Sequence, residues 1–137
     1  MTDPLAPRMR WWGWGVDGHD APLSRTASRL LRDELGVGGA AAVPVDLERV
    51  ALAEPALEPA ARAQLAGAVG GGENVRDDRL TRVAHAAGRS YPDLVRLRSG
   101  AGLAAPDAVV YPADHEQVAS VLAVCATASA GRADSSR

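Results

Sequence analysis

The chain has 137 residues and a formal net charge of −2 at pH 7, with 47% hydrophobic residues, 4% aromatic residues and no phenylalanine. That length suits one domain with a core, but the apolar fraction leans on alanine, which buries little area per side chain, so the expected core is thin. Every basic residue is an arginine, and the near-neutral balance gives no pull towards nucleic acid or an anionic membrane. The single cysteine, Cys125, excludes an internal disulfide and fits a reducing compartment. No charged-then-apolar leader opens the sequence and no apolar run reaches the length of a membrane span. The expectation is a cytoplasmic protein with no transmembrane segment.

Residues 1–22, rich in Pro, Gly and Trp, carry no helical or strand period and read as an irregular arm. Ser24 is placed as an N-cap. Ala27, Leu30, Leu31 and Leu35 then recur on one helical face, and Gly36 ends the helix as a C′ glycine would. After a glycine-rich link, Val43, Val45, Leu47 and Val50 alternate in part, but Pro44 and Pro55 argue against a central strand, so this stretch is expected to be extended. A helix is predicted from Pro59 to Val69, with the proline in its first turn and Ala61, Leu65, Ala68 and Val69 inward; Gly70-Gly71-Gly72 stops it.

Asp77 or Asp78 is positioned to cap the next helix, in which Leu80, Val83, Ala84 and Ala87 repeat at three and four residues before Gly88. Ser90 and Asp93 have the spacing of a capping box, and a short helix carrying Leu94 and Leu97 should end near Gly100. Pro106 precedes the β-prone run Ala108-Val109-Val110-Tyr111, which Pro112 breaks. Asp114 and Gln117 again have capping spacing, and Val118, Val121, Leu122 and Cys125 form an apolar stripe. The order is strand, turn, helix, the first two-thirds of a βαβ unit. The parallel strand that normally follows reads as an apolar run. From Thr127 to Arg137 there is no Val, Leu, Ile or aromatic residue.

Several features have a functional and a plainer reading. Gly70-Gly71-Gly72 lacks the strand-to-helix context and the Lys or Ser/Thr partner of a phosphate loop and is read as a flexible linker. Trp11, Trp12 and Trp14 beside Arg8 and Arg10 have the chemistry to stack bases, but two cations are a weak footprint, and packing of the arm against a larger body is favoured. His19, His85 and His115 lack metal-ligand spacing and Cys125 does not join them. Asp77 and Asp78 are better explained as helix caps than as an acid–base pair. Arg96 and Arg98 fit a solvated helix face, and Cys125 a small buried hydrophobe without an activating base.

Three stretches together resemble the flavin-linked oxidases of the vanillyl-alcohol-oxidase superfamily, with its PCMH-type FAD-binding domain, and within it the alkyldihydroxyacetonephosphate synthase branch. They are Arg10-Trp11-Trp12-Gly13-Trp14-Gly15; Asp77-Asp78-Arg79-Leu80 to His85 with Gly88-Arg89-Ser90-Tyr91-Pro92-Asp93-Leu94; and Ala105-Pro106-Asp107-Ala108-Val109-Val110-Tyr111-Pro112 with His115-Glu116-Gln117-Val118. The resemblance extends to about Ala126. It implies an α+β fold: a mainly helical lead-in followed by the first βα unit of an FAD-binding domain. The expected organisation is an arm at 1–22, a helical lead-in at 23–104, the start of the flavin domain at 105–126 and a disordered tail at 127–137.

In that family a glycine-rich loop after the next strand wraps the FAD pyrophosphate through backbone N–H groups. No Gly-Gly-Gly-Thr-Ser loop follows Ala126, and Gly131-Arg132-Ala133-Asp134 is no substitute. The family's catalytic groups lie in regions with no counterpart here, so no residue is assigned as catalytic, cofactor-binding or metal-ligating. The expectation is a truncated piece of an FAD-dependent flavoenzyme, inactive alone, binding FAD weakly or not at all and prone to self-association through exposed apolar surface; the alternative is a small helical protein-interaction module without catalytic activity. The change of character after Cys125 is what a frameshift or a misplaced gene end would produce. Reading the coding DNA onward in all three frames is then expected to show the missing flavin loop, and three frames without one would exclude that origin.

Overall fold

The computed structural model describes residues 9–16, 21–38, 42–102 and 104–134. Its elements in chain order are α1 (Arg25–Leu35), a 3₁₀ turn (Leu47–Arg49), α2 (Pro59–Ala68), a second 3₁₀ turn (Gly72–Asn74), β1 (Val75–Arg76), α3 (Arg79–Ala84), α4 (Tyr91–Arg98), β2 (Val109–Val110) and α5 (His115–Asp134). Helices with one small sheet bear out the α+β class. The chain divides into two compact units, one of Met1–Ala51 with Arg89–Gly102, the other of Leu52–Gly88 with Leu103–Arg137.

In the first unit, α1 begins and ends where the sequence places it. The Ser24 hydroxyl accepts from the Ala27 N–H at 3.1 Å, and Gly36 takes the left-handed conformation at φ 63°, its N–H donating to the Leu31 carbonyl. Its apolar face, however, is not buried: Leu30 and Leu35 are 58% and 65% exposed, and only Ala27 and Leu31 are half-buried. A 3.6-residue period reports that a helix has an apolar side, not that a layer exists to cover it.

The buried apolar residues of this unit are Val50, Leu94 and Leu97. The capping box at α4 forms as expected, with Ser90 Oγ facing the Asp93 N–H and the Asp93 carboxylate facing the Ser90 N–H. The segment read as extended is bound to the C-terminal end of α4: the Val45 N–H donates to the Arg98 carbonyl at 3.0 Å and the Ala51 N–H to the Gly100 carbonyl at 2.9 Å. A 3₁₀ turn interrupts it at Leu47–Arg49. Gly100 is required at this junction, because at φ +81° a side chain would be strained and its Cβ would meet the Arg49 carbonyl at 3.2 Å.

In the second unit, Leu65 and Val69 of the α2 region face inward as predicted. Gly70-Gly71-Gly72 is not a free linker. Gly70 adopts φ +78° and the Gly71 N–H donates to the Ala66 carbonyl at 2.9 Å, the pattern of a Schellman cap. The chain then turns through Gly72–Asn74, where Asn74 Nδ2 donates to the Val69 carbonyl at 3.0 Å, and enters β1. β1 pairs antiparallel with β2, Val75 opposite Val110 and Arg76 opposite Val109. β2 therefore has a partner that the sequence did not reveal, a two-residue strand too short to carry a period.

Leu65, Val69 and Val75 form the buried cluster of this unit, with Leu57, Ala66, Ala108, Val110, Val121 and Val124 packed half-buried around it. The inward side of α5 is thus Val121 and Val124. The predicted stripe is split: Val118 and Leu122 are 40% and 64% exposed, and Cys125 is exposed rather than a small core residue. Residues from 127 onward, expected as a disordered tail, continue α5 to Asp134.

α3 is shorter than its pattern, ending at Ala84 with His85 as C-cap. It buries Thr81, Arg82 and Val83, while Leu80, read as inward, is 36% exposed. Arg82 is only 4% exposed. Its Nε donates to the Pro106 carbonyl and its Nη2 to the Ala53 carbonyl, both at 2.8 Å. A planar fork reaches two backbone carbonyls at once, which the point charge of a lysine does poorly. Arg82→Ala is expected to lower stability by about 2–3 kcal/mol, and Arg82→Lys to recover only part of it. Urea midpoints of the three chains check this, and a wild-type midpoint for Arg82→Lys would show that the fork is unimportant.

Candidate functional site

Residues 9–16 of the arm form a tight turn, with Met9 bridged to Val16 and the Arg10 N–H donating to the Gly15 carbonyl at 3.1 Å. Two arginines of the same unit hold it. Arg89 sends Nη2 to the Gly13 carbonyl at 3.0 Å and to the Arg10 carbonyl, and Trp14 Nε1 donates back to the Arg89 carbonyl at 3.1 Å. Trp12 has the Arg10 guanidinium 5.0 Å and the Arg98 guanidinium 5.1 Å from its ring centroid, both within cation–π range. Arg98, read as part of a solvated face, therefore lies on a tryptophan and also donates to the Ala42 carbonyl.

Arg89 has φ 59°, a left-handed backbone that costs a non-glycine residue roughly 1–2 kcal/mol. Its Nε is buried without a hydrogen-bond partner among the described residues. The bonds to the arm offset that strain. No sequence signal points to this role, since a positive φ at arginine follows from the tertiary contacts. Trp12 thus lies against two guanidinium groups and Trp14 spends its indole N–H within the unit, while the Trp14 ring is 59% exposed. Arg8 and His19 lie outside the described residues.

In the second unit His85, Asp77 and Asp78 are engaged structurally. His85 Nδ1 is 2.8 Å from the Thr81 carbonyl, and its ring meets Tyr111 edge-on at 6.4 Å. Asp77 pairs with Arg62 at 3.1 Å, and Arg62 also donates to the Val75 carbonyl at 3.1 Å. Asp78 caps α3, accepting from the Thr81 N–H at 3.0 Å and the Thr81 hydroxyl at 2.7 Å, with Arg76 Nε 3.1 Å away. Of the two candidate caps, the second is the one used. Arg96 pairs with Asp93 at 3.4 Å across an exposed helix turn. His115 is exposed at the start of α5. No cluster of three His, Cys, Asp or Glu suited to a metal ion occurs among the described residues.

The strand–turn–helix at β2 and α5 is where the family resemblance expects a flavin domain to open, and the residues present do not fit a pyrophosphate. Asp114 Oδ1 accepts the Gln117 N–H and Gln117 Oε1 accepts the Ala113 N–H, both at 2.8 Å. One first-turn donor, the Gln117 N–H, is therefore taken by a carboxylate where an anion would need it, and the Ala113 N–H ahead of the helix is taken as well. Beyond Ala126 the backbone is helical to Asp134, so its N–H groups are used within the helix.

No protein-family model matches the chain. Two crystal forms of an alkyldihydroxyacetonephosphate synthase superpose on it with TM-scores of 0.71 and 0.68, each at 24% sequence identity, covering 88% and 90% of this chain and 26% of the synthase chain. The fold is that of a quarter of a synthase of this type, and the resemblance read from the three sequence stretches is borne out. The synthase of Dictyostelium discoideum is 44% identical over 46 residues, which are 34% of this chain and 8% of that protein. Protein Rv2250A of Mycobacterium tuberculosis is 36% identical over 110 residues, 80% of this chain and 73% of the relative. The chain belongs to the same family as Rv2250A. No helix among the described residues is long and apolar enough to cross a membrane.

Burial opposes the charge of Asp78, but the Thr81 N–H and hydroxyl and the Arg76 guanidinium outweigh it and hold the carboxyl below its ordinary value. A depressed carboxylate contributes stability that is present above the unfolded value, near 3.9, and is lost as pH falls through the lower folded value. Asp78→Ala is expected to cost about 1 kcal/mol at pH 7, and the difference from wild type should shrink below pH 4. A difference that stays constant down to pH 2 would mean that the carboxylate's charge contributes nothing.

Proposed function

We propose that the chain is a structural piece of an FAD-dependent enzyme of the alkyldihydroxyacetonephosphate synthase type, without activity or tight FAD binding of its own. The observation that carries this reading is the fold match over 88% of the chain to only 26% of a synthase. In this reading residues 23–104 are the lead-in and residues 105–126 open a PCMH-type FAD-binding domain. The intact enzyme would oxidise a small hydroxy compound or exchange the acyl group of a ketone phosphate for a fatty alcohol, the flavin supplying the chemistry. This chain's contribution is to build one face of the flavin domain and to fix the arm through Arg89. A single exposed thiol, Cys125, accords with a cytoplasmic location.

A second reading, a small helical protein-interaction module without catalytic activity, is favoured by one observation. The Rv2250A match covers 73% of that relative, so a chain of this general size stands by itself in another organism. Titrating the purified chain with FAD, followed by flavin fluorescence, tests the first reading. No saturable change is expected up to about 100 μM, an affinity weaker than roughly −5.5 kcal/mol. Stoichiometric binding would mean that residues described above as structural make a flavin site, and the proposal would fail.

A further inference from the structure

Arg89 is short of good acceptors. Its Nη2 serves the Gly13 and Arg10 carbonyls, but its Nε is buried without a hydrogen-bond partner among the described residues. Its Nη1 has a sulfur for its partner, the Met9 Sδ at 3.9 Å. A thioether is a weak acceptor. A cation that holds a strained backbone, at φ 59°, is thus satisfied by its neighbours only in part.

Met9 is placed to change that. It is 49% exposed, so a small oxidant in solution reaches the sulfur, and its unbranched side chain lets the thioether turn. It stands at the base of the arm turn, bridged to Val16 and next to the Arg10 N–H that closes the turn on the Gly15 carbonyl. Oxidation converts an apolar methionine into a polar sulfoxide. In a core that change disrupts packing. Beside Arg89 it supplies an oxygen acceptor where a guanidinium N–H has only a sulfur, and hydrogen bonds from a charged donor are about twice as strong as neutral ones.

We propose that Met9 is a site of reversible oxidation, and that its sulfoxide oxygen accepts from Arg89 Nη1 and fastens the base of the arm turn to Arg89. The oxidant is a hydroperoxide. A sulfur lone pair attacks its terminal oxygen, the O–O bond breaks, and the proton of the transferred hydroxyl passes to the leaving oxygen, which departs as water or an alcohol. Sulfur gives up an electron pair and the peroxide takes it. Thiol-dependent sulfoxide reductases reverse the change. Arg89 then holds the turn at Met9 as well as at Arg10 and Gly13, so oxidation tightens the arm instead of loosening it. Nothing in this device requires that the chain bind a flavin.

The test treats the full-length chain with hydrogen peroxide, then with dithiothreitol, which returns Cys125 to the thiol and leaves a methionine sulfoxide in place. Peptide mass mapping is expected to find one added oxygen on Met9. Hydrogen exchange at the Arg10 amide should slow by roughly tenfold, the scale of one charge-assisted hydrogen bond, and a methionine sulfoxide reductase should restore the original rate. Met9→Gln places an amide oxygen where the sulfoxide oxygen would be and should give the same protection without oxidant. Arg89→Gly suits the positive φ and removes the guanidinium, so its Met9 should oxidise with no gain in protection. Met9→Gln keeps Arg89 and carries the test by itself if Arg89→Gly does not fold. Unchanged or faster exchange in both the oxidised chain and Met9→Gln would overturn the proposal. So would a Met9 that resists peroxide, or protection that persists in oxidised Arg89→Gly.

Discussion

The Arg82 guanidinium is the constraint on which the second unit depends. It is almost fully buried, and it fastens α3 to the Ala53 carbonyl ahead of α2 and to the Pro106 carbonyl ahead of β2. Three segments far apart in sequence thus meet at one side chain. A buried cation is costly unless its donors are satisfied, and here carbonyl oxygens satisfy two of them. The need for such a tie follows from composition. With no phenylalanine, the buried apolar cluster of this unit is two valines and a leucine with half-buried residues around them, too little surface to fix the loops by packing alone.

The same solution recurs throughout the molecule. Arg62 joins the Val75 carbonyl to Asp77, Asp107 accepts the Ala56 N–H at 2.9 Å, and Asn74 holds the end of α2. In the other unit Arg89 and Arg98 bind carbonyls of the arm and of the segment before the first 3₁₀ turn. Side chain to backbone bonds carry long-range order that a larger core would carry by dispersion and area. Such bonds are directional, so they specify register well, but each contributes only about 1 kcal/mol net, somewhat more when charged. A structure held in this way folds to a defined arrangement with a modest margin.

That economy bears on function. Several features that usually announce chemistry in a sequence are employed here in holding the chain: Asp78 caps a helix, His85 lies on a helix carbonyl and against Tyr111, and Trp12 and Trp14 are engaged by arginines. Among the described residues, Val118, Leu122 and Cys125 of α5 stay exposed.

The sequence by itself determined where the helices start and the class of fold. Ser24, Asp78, Ser90 with Asp93, and Asp114 with Gln117 all cap where their spacing places them, because a cap is made by residues three apart and needs no tertiary partner. The α+β class and the family resemblance were likewise legible, since both rest on local strings of residues. Which apolar faces are buried was decided only by the tertiary structure. The α1 face lies open, the α5 stripe turns its Val121 and Val124 side inward, and Cys125 is outside, because periodicity records an amphipathic side without recording its partner. β1 was invisible for a related reason: two residues become a strand only when Val109 and Val110 lie beside them. Arg82 and Arg89 were equally silent, since an arginine that binds distant carbonyls has no signature until the fold brings those carbonyls within its reach.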